Sequence, residues 1–140
     1  MSKVAVVYWS GTGNTEAMAE KVAEGAKSLA AEVDLLTADQ FSASMLDDYA
    51  SVAFGCPSMG AEELEESEFA PMFDACRPML QGRKIALFGS YGWGDGEWMR
   101  TWEEDCKEAG AVLLCEPVIC NESPDEEAAQ ACLELGKALV

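Results

Sequence analysis

The 140-residue chain contains no histidine. That closes every mechanism resting on an imidazole, whether a Ser-His or Cys-His nucleophile pair or a His-ligated metal. Positive charge is scarce as well: nine Lys and Arg stand against 26 Asp and Glu, a net charge of −17 at pH 7. A polyanion would be repelled instead of gaining affinity by counterion release, so nucleic acid and anionic membranes are excluded as partners and basic protein faces are favoured. Long apolar runs are missing too. Val4 to Trp9 is six residues, followed by SGTGNT, where a membrane span needs roughly 20 apolar residues and a signal peptide a small-residue cleavage site. The six cysteines are separated by 20, 30, 9, 5 and 12 positions, which gives no Cys-x-x-Cys pair and no zinc spacing. They read as reduced, buried thiols of a cytoplasmic protein, with Cys56 the one near a functional loop. No metal site is expected. Neither repeats nor a linker interrupt the chain, whose length suits one domain over 1–140 and a monomer.

What is present is a hydrophobic fraction of 49%, too high for a disordered acidic tail, arranged as alternating strands and helices. Lys3 to Trp9, Glu32 to Thr37, Ser51 to Cys56, Lys84 to Ser90 and Ala111 to Cys120 read as five strands. The first helix follows from Met18, Val22, Ala26 and Leu29 at spacings of four, four and three. Ser67 to Leu80 reads as a helix with Pro71 in its first turn, and Glu97 to Ala109 and Asp125 to Leu139 as two more. The stretch around Phe41, Met45 and Leu46 is a short crossover with one poorly formed helix. Apolar strands alternating with helices predict an α/β fold, a doubly wound five-stranded parallel sheet with helices on both faces. Such sheets bind ligands beyond the C-terminal strand ends, at the switch point between the first and third strands. The loops after strands one, three and four are accordingly the ones to inspect.

Ser10-Gly11-Thr12-Gly13-Asn14-Thr15 places two glycines and three hydroxyls between a strand and a helix N-terminus. Converging amides, hydroxyl donors and the helix dipole suit a phosphate. The loop has no Lys or Arg, and it matches neither GxxxxGK[ST] nor GxGxxG, so one terminal phosphate is expected. The plainer reading is a Gly-rich turn capped by Thr12 or Asn14. In the second loop, CPSMGAEE, the thioether of Met59 could lie against a flat ring or fill the core, and Gly60 suits a tight turn. The third loop, SYGWGDG, sets Trp93 between Gly92 and Gly94, where core packing explains a tryptophan poorly. Trp98 and Trp102, four apart on a helix, read as core residues, and Trp9 as structural.

Together these loops resemble the flavodoxin family in its short-chain, clostridial type. YWSGTGNTEAMA is similar to the family's phosphate loop, GCPSMGAEELEESEF to its second flavin loop and LFGSYGWGDGEWM to its third, in the family's order over nearly the whole chain. The resemblance implies the flavodoxin-like strand order 2-1-3-4-5 and a noncovalent FMN with its phosphate in Ser10 to Thr15. It implies an isoalloxazine between Met59 and Trp93, with Ser58, Gly60 and Ala61 in the second loop, Glu62 accepting from N(3)-H, and Ser90, Tyr91 and Gly92 as backbone contacts beside Gly94. It also implies a redox-linked turn of the Gly60-Ala61 peptide, whose carbonyl accepts from N(5)-H of the semiquinone. Two positions depart from the clostridial pattern: Pro57 stands where Ser is frequent, and Ala61 where a polar residue is frequent.

A flavin carries its own one-electron chemistry, which accounts for the absent histidine. The resemblance therefore implies a low-potential electron carrier, not an enzyme, shuttling between semiquinone and hydroquinone states and docking through an acidic rim onto basic faces of reductases and low-potential acceptors. Glu62, Glu63, Glu65, Glu66 and Glu68, with Asp95 and Glu97 opposite, make the surroundings negative. The plainer reading of the glutamates is a solvated helix N-terminus. Six carboxylates at roughly 10 Å would cost an added electron about 2.5 kcal/mol in water, or about 100 mV before salt screening. The alternative function is a flavodoxin-like flavoenzyme of the quinone reductase type. A phospho-signalling receiver would need an Asp ending strand three, where Phe54-Gly55-Cys56 stands.

Overall fold

The computed structural model describes residues 3–59 and 63–140. The apolar runs form the strands β1 (Lys3–Tyr8), β2 (Glu32–Thr37), β3 (Ser51–Gly55), β4 (Lys84–Tyr91), β5 (Val112–Leu113) and β6 (Val118–Asn121). The amphipathic stretches form α1 (Asn14–Lys27), α2 (Phe69–Cys76), α3 (Glu97–Glu108) and α4 (Glu126–Ala138). The crossover expected to hold one poor helix contains two 3₁₀ turns, Ala38–Gln40 and Ala43–Asp48. The helix expected over Ser67 to Leu80 is shorter: α2 stops at Cys76 and continues as a 3₁₀ turn, Arg77–Met79, where Pro78 has no amide to donate.

The sheet is parallel in the order β2-β1-β3-β4-β5. Registers such as Val7 against both Leu36 and Phe54 place β1 between β2 and β3. The expected fifth strand, Ala111 to Cys120, is in fact two pieces that pair with opposite ends of β4, Leu113 with Ile85 and Val118 with Phe88. Five steps on the edge strand therefore match three on β4, and the surplus bulges out just before Pro117, a residue that cannot donate to a ladder.

One face of the sheet packs Val7, Phe54 and Leu87 against Phe69, Phe73, Trp98 and Trp102 of α2 and α3. The other packs Val4, Val6 and Phe88 against Met18 and Val22 of α1 and Cys132 and Leu135 of α4. Phe69 and Phe73 both meet Trp102 edge-on, with centroids 5.4 and 5.5 Å away, a favourable quadrupole arrangement. Trp98 and Trp102 are thus core residues, as their spacing indicates. Helices α1 and α4 meet at Gly25 and Gly136, where an added Cβ would lie 2.0 Å from the carbonyl oxygen of Leu133 or Val22 respectively. Among the described residues no helix is long and apolar enough to cross a membrane.

Candidate functional site

The C-terminal ends of β1, β3, β4 and β6 open into a cleft of about 480 Å³, within the range usual for small-molecule sites. Its walls come from all three loops singled out by the switch-point argument: Gly11, Thr12 and Asn14; Pro57, Ser58 and Met59; and Ser90, Tyr91, Gly92 and Trp93.

In the first loop, neither Thr12 nor Asn14 caps α1. The N-cap is Gly13, in the left-handed region at φ 96°, which has no side chain with which to cap the helix. A residue with a Cβ would be strained there. The leading amides of a helix have no intrahelical acceptor, and here the dipole's positive end faces the loop without a competing cap. Ser10 Oγ accepts from the Gly13 amide at 3.0 Å, which holds the loop closed. Ser10 and Gly13 line a smaller depression beside the main cleft, with Glu16 and Asp39. Thr15 is buried behind the cleft, its hydroxyl 3.1 Å from that of Ser90, so the first and third loops are joined beneath the floor.

The second loop is fixed at both sides. The Ser58 amide donates to the Ser90 carbonyl at 3.0 Å, and Met59 forms an antiparallel bridge with Glu63, both N–H···O bonds 2.8 Å. Met59 is half-buried and lines the cleft, so the core-filling reading does not hold. The expected contacts Gly60, Ala61 and Glu62 lie outside the described residues. In the third loop Trp93 is 51% exposed on the cleft's lip, while Gly94, exposed at φ 76°, is not among the lining residues. Tyr91 is held from below by Trp98, centroids 5.6 Å apart.

Three wall residues escape the loop argument. Trp9 lines the cleft and donates its indole N–H to Glu68 at 3.2 Å, so its role is not merely structural. Its ring also lies where a Cβ on Gly11 would meet it at 3.0 Å. Glu122 and Ser123 follow β6. The rule that ligands gather at C-terminal strand ends applies to the fifth strand as well and points to them.

The carboxylates around the cleft do not all face solvent. Glu65 is buried and accepts from the amides of Ser67, Glu68 and Phe69, each at 2.8 Å, and from the Ser67 hydroxyl. Burial pushes its carboxyl pKa up, but these hydrogen bonds outweigh that and hold it below the ordinary glutamate value. It is the cap of α2, not a rim charge. Glu68 accepts from Trp9, and Asp95 is paired with Arg100 at 3.0 Å. Glu63 and Glu66 stay exposed. Cys56 closes β3; its sulfur accepts from the Glu65 amide at 3.4 Å, and burial pushes its thiol pKa up to about 12. All six cysteines are free thiols.

A flavodoxin family model matches residues 6–136. The chain belongs to the flavodoxin family. It is 46% identical over 138 residues to the flavodoxin of Megasphaera elsdenii, covering 96% of both chains. With that of Clostridium beijerinckii it shares 45% over 134 residues, again covering 96% of each. The solution structure of two-electron reduced Megasphaera elsdenii flavodoxin superposes with a TM-score of 0.89 at 43% identity over 97% of both chains. Oxidised flavodoxin 1 from Bacillus cereus superposes at 0.86 with 28% identity, over 99% of this chain and 97% of that one.

Family membership brings FMN as cofactor and the role of an electron carrier instead of an enzyme, which sets aside the quinone reductase alternative. The cleft of this flavodoxin fits the group. An uncapped helix start with the Thr12 hydroxyl beside it suits the phosphate, Met59, Tyr91 and Trp93 offer a thioether and two aromatic faces to the ring, and the buried Ser58 hydroxyl has no partner among the described residues.

Proposed function

We propose that this flavodoxin is a low-potential one-electron carrier that holds FMN noncovalently in the cleft and docks through acidic residues onto basic faces of redox enzymes. Bound FMN supplies the one-electron chemistry, cycling between semiquinone and hydroquinone states. The chain's part is to bind, orient and bias it. The first loop, Ser10 to Thr15, takes the phosphate through amides and hydroxyls. Met59 and Trp93 take the two faces of the ring, and Ser90, Tyr91 and Gly92 take its polar edge. Glu62 is assigned to the ring's N(3)-H on the family pattern.

The observation that carries this reading is the lining of the cleft. It joins an anion-accepting helix start to aromatic walls and includes Glu122 but no Lys or Arg among the described residues. An added electron therefore meets a carboxylate and no compensating cation, which lowers the potential. Trp93, half-exposed at the lip, leaves one edge of the ring open to a partner. Purified apoprotein is expected to take up FMN with quenching of flavin fluorescence. A spectroelectrochemical titration is expected to show semiquinone and a second reduction step below that of free FMN. A colourless protein that leaves FMN fluorescence unchanged overturns the reading.

A further inference from the structure

The indole N–H of Trp9 donates to Glu68 Oε1 at 3.2 Å, joining residues 59 apart in the chain. Trp9 lines both the main cleft and the smaller depression beside it, so its side chain stands between the two. Glu68 lies on the side of the depression, with Glu16 and Asp39. It is exposed, and although it is the N-cap residue of α2, its side chain caps no amide of that helix. Neither burial nor capping explains the placement of this carboxylate. Its charge alone works against an anion on the other side of the ring.

Both ends of the bond are anchored. The Trp9 amide donates to the Gly55 carbonyl at 3.0 Å, and the Glu68 amide donates to the buried carboxylate of Glu65 at 2.8 Å. With both backbones held, what the bond fixes is the rotamer of the indole. The ring stands where a Cβ on Gly11 would meet it at 3.0 Å. Gly13 is left-handed and Gly11 is not, so at Gly11 the close approach of the ring, and not the backbone angle, calls for a glycine. A ring turned away would leave Gly11 unsupported, next to the Ser10–Gly13 bond that closes the loop.

Resting on the FMN reading above, we infer that Glu68 is a positioning residue for the cofactor phosphate: its carboxylate holds the Trp9 indole against Gly11 and so sets where the amides of the first loop converge. It acts through the ring and not on the cofactor itself. Two effects of opposite sign meet in this side chain. Its acceptor oxygen favours FMN by ordering the loop before binding, while its charge disfavours the phosphate.

The two effects separate in Glu68→Gln, which keeps an acceptor oxygen and removes the charge, and Glu68→Ala, which removes both. Titration of the apoproteins with FMN, followed by fluorescence quenching, is expected to give Glu68→Ala a Kd about fivefold higher than wild type. Glu68→Gln is expected to bind as tightly as wild type or more tightly. Trp9→Phe, which keeps a ring and loses the N–H, is expected to weaken binding as well. Adding Glu68→Ala to it should then cost nothing further, because the pair acts as one unit. In the loaded proteins the phosphorus resonance of FMN is expected to move in Glu68→Ala while the flavin's absorption bands stay in place. The side chain is exposed, so the apoprotein's melting temperature should stay within about two degrees of wild type. Tighter binding by both Glu68 variants would leave only the charge and overturns the assignment. So does equal weakening by both, an unchanged Kd in Glu68→Ala, or additive losses in the double variant. A Glu68→Ala apoprotein that melts several degrees lower overturns it too, by making Glu68 a structural residue. Wild-type protein that takes up no FMN at all contradicts the function itself, an outcome distinct from all of these.

Discussion

At the scale of single residues, Glu65 and Glu68 look alike in the run GAEELEESEF, yet one is a buried cap and the other a surface acceptor. The native pKa of Glu65 lies below the ordinary glutamate value of 4.5, so its carboxylate contributes stability that is fully present above that value and is lost as pH falls through the native pKa. Glu65→Gln keeps the shape and deletes the charge from the three amides at 2.8 Å. Urea unfolding at pH 7 is expected to show a loss of about 1.5–3 kcal/mol, and the gap between wild type and variant is expected to close as pH falls through the lowered native pKa. A gap that stays constant down to acid pH would assign the loss to packing instead. Trp93 is the converse case, a large side chain 51% exposed on the lip of the cleft. Trp93→Ala is expected to weaken FMN binding several-fold by removing one stacking face while leaving the apoprotein's melting temperature within a degree or so of wild type. An equal loss of apoprotein stability would make it a packing residue.

At the scale of elements, the two faces of the sheet are built on different principles. The α2–α3 face is filled by aromatic rings, and it was legible because Phe69, Phe73, Trp98 and Trp102 recur at helical spacing. The α1–α4 face depends on backbone approach at Gly25 and Gly136, and no periodicity reveals that, since a glycine inside a helical pattern reads only as a propensity cost. The same limit applies at the edge: Pro117 marks a weak point in Ala111 to Cys120, but only pairing with β4 shows that the strand is divided there. The three loops around the cleft were legible because topology assigns them to the C-terminal strand ends and their residue types are unusual. Trp9 and Glu122 were not, because their significance depends on partners 59 and 31 residues away, Glu68 and the Tyr91 carbonyl. Gly136→Ala tests the helix contact. Helix propensity alone favours alanine by up to about 1 kcal/mol, but the Cβ would sit 2.0 Å from the Val22 carbonyl oxygen. A net loss of about 1–3 kcal/mol is therefore expected in thermal unfolding, from the overpacking that parts the helices. A stabilised variant would show that α1 and α4 yield at no cost.

At the scale of the whole molecule, the net charge of −17 sets the strength of attraction to a basic partner, but pairing decides where on the surface it acts. Asp95 is offset by Arg100 and Glu65 is buried, while Glu68 accepts from the neutral Trp9 indole and adds its charge on the second-loop side. Glu63 and Glu66, exposed beside Met59, are left as the stronger acidic edge, so docking should be weighted to the second-loop side of the cleft and not shared evenly with the third. This gives an asymmetric expectation for the reduced, FMN-loaded protein mixed with a basic c-type cytochrome in stopped flow. At about 10 mM ionic strength the Debye length is ~30 Å, and the double change Glu63→Lys and Glu66→Lys is expected to slow electron transfer several-fold. Asp95→Lys with Glu97→Lys, an equal change of charge at the third loop, is expected to slow it less, because a partner seated on the second-loop side lies farther from it. Near 0.5 M salt, where screening acts within a few ångströms, the three proteins are expected to converge. FMN affinity should stay close to wild type in both variants, since neither change touches the phosphate loop. Equal slowing by the two variants would return the docking face to the whole rim. A difference that survives high salt would mean that the glutamates act through the fit of the second loop around the ring and not through long-range attraction.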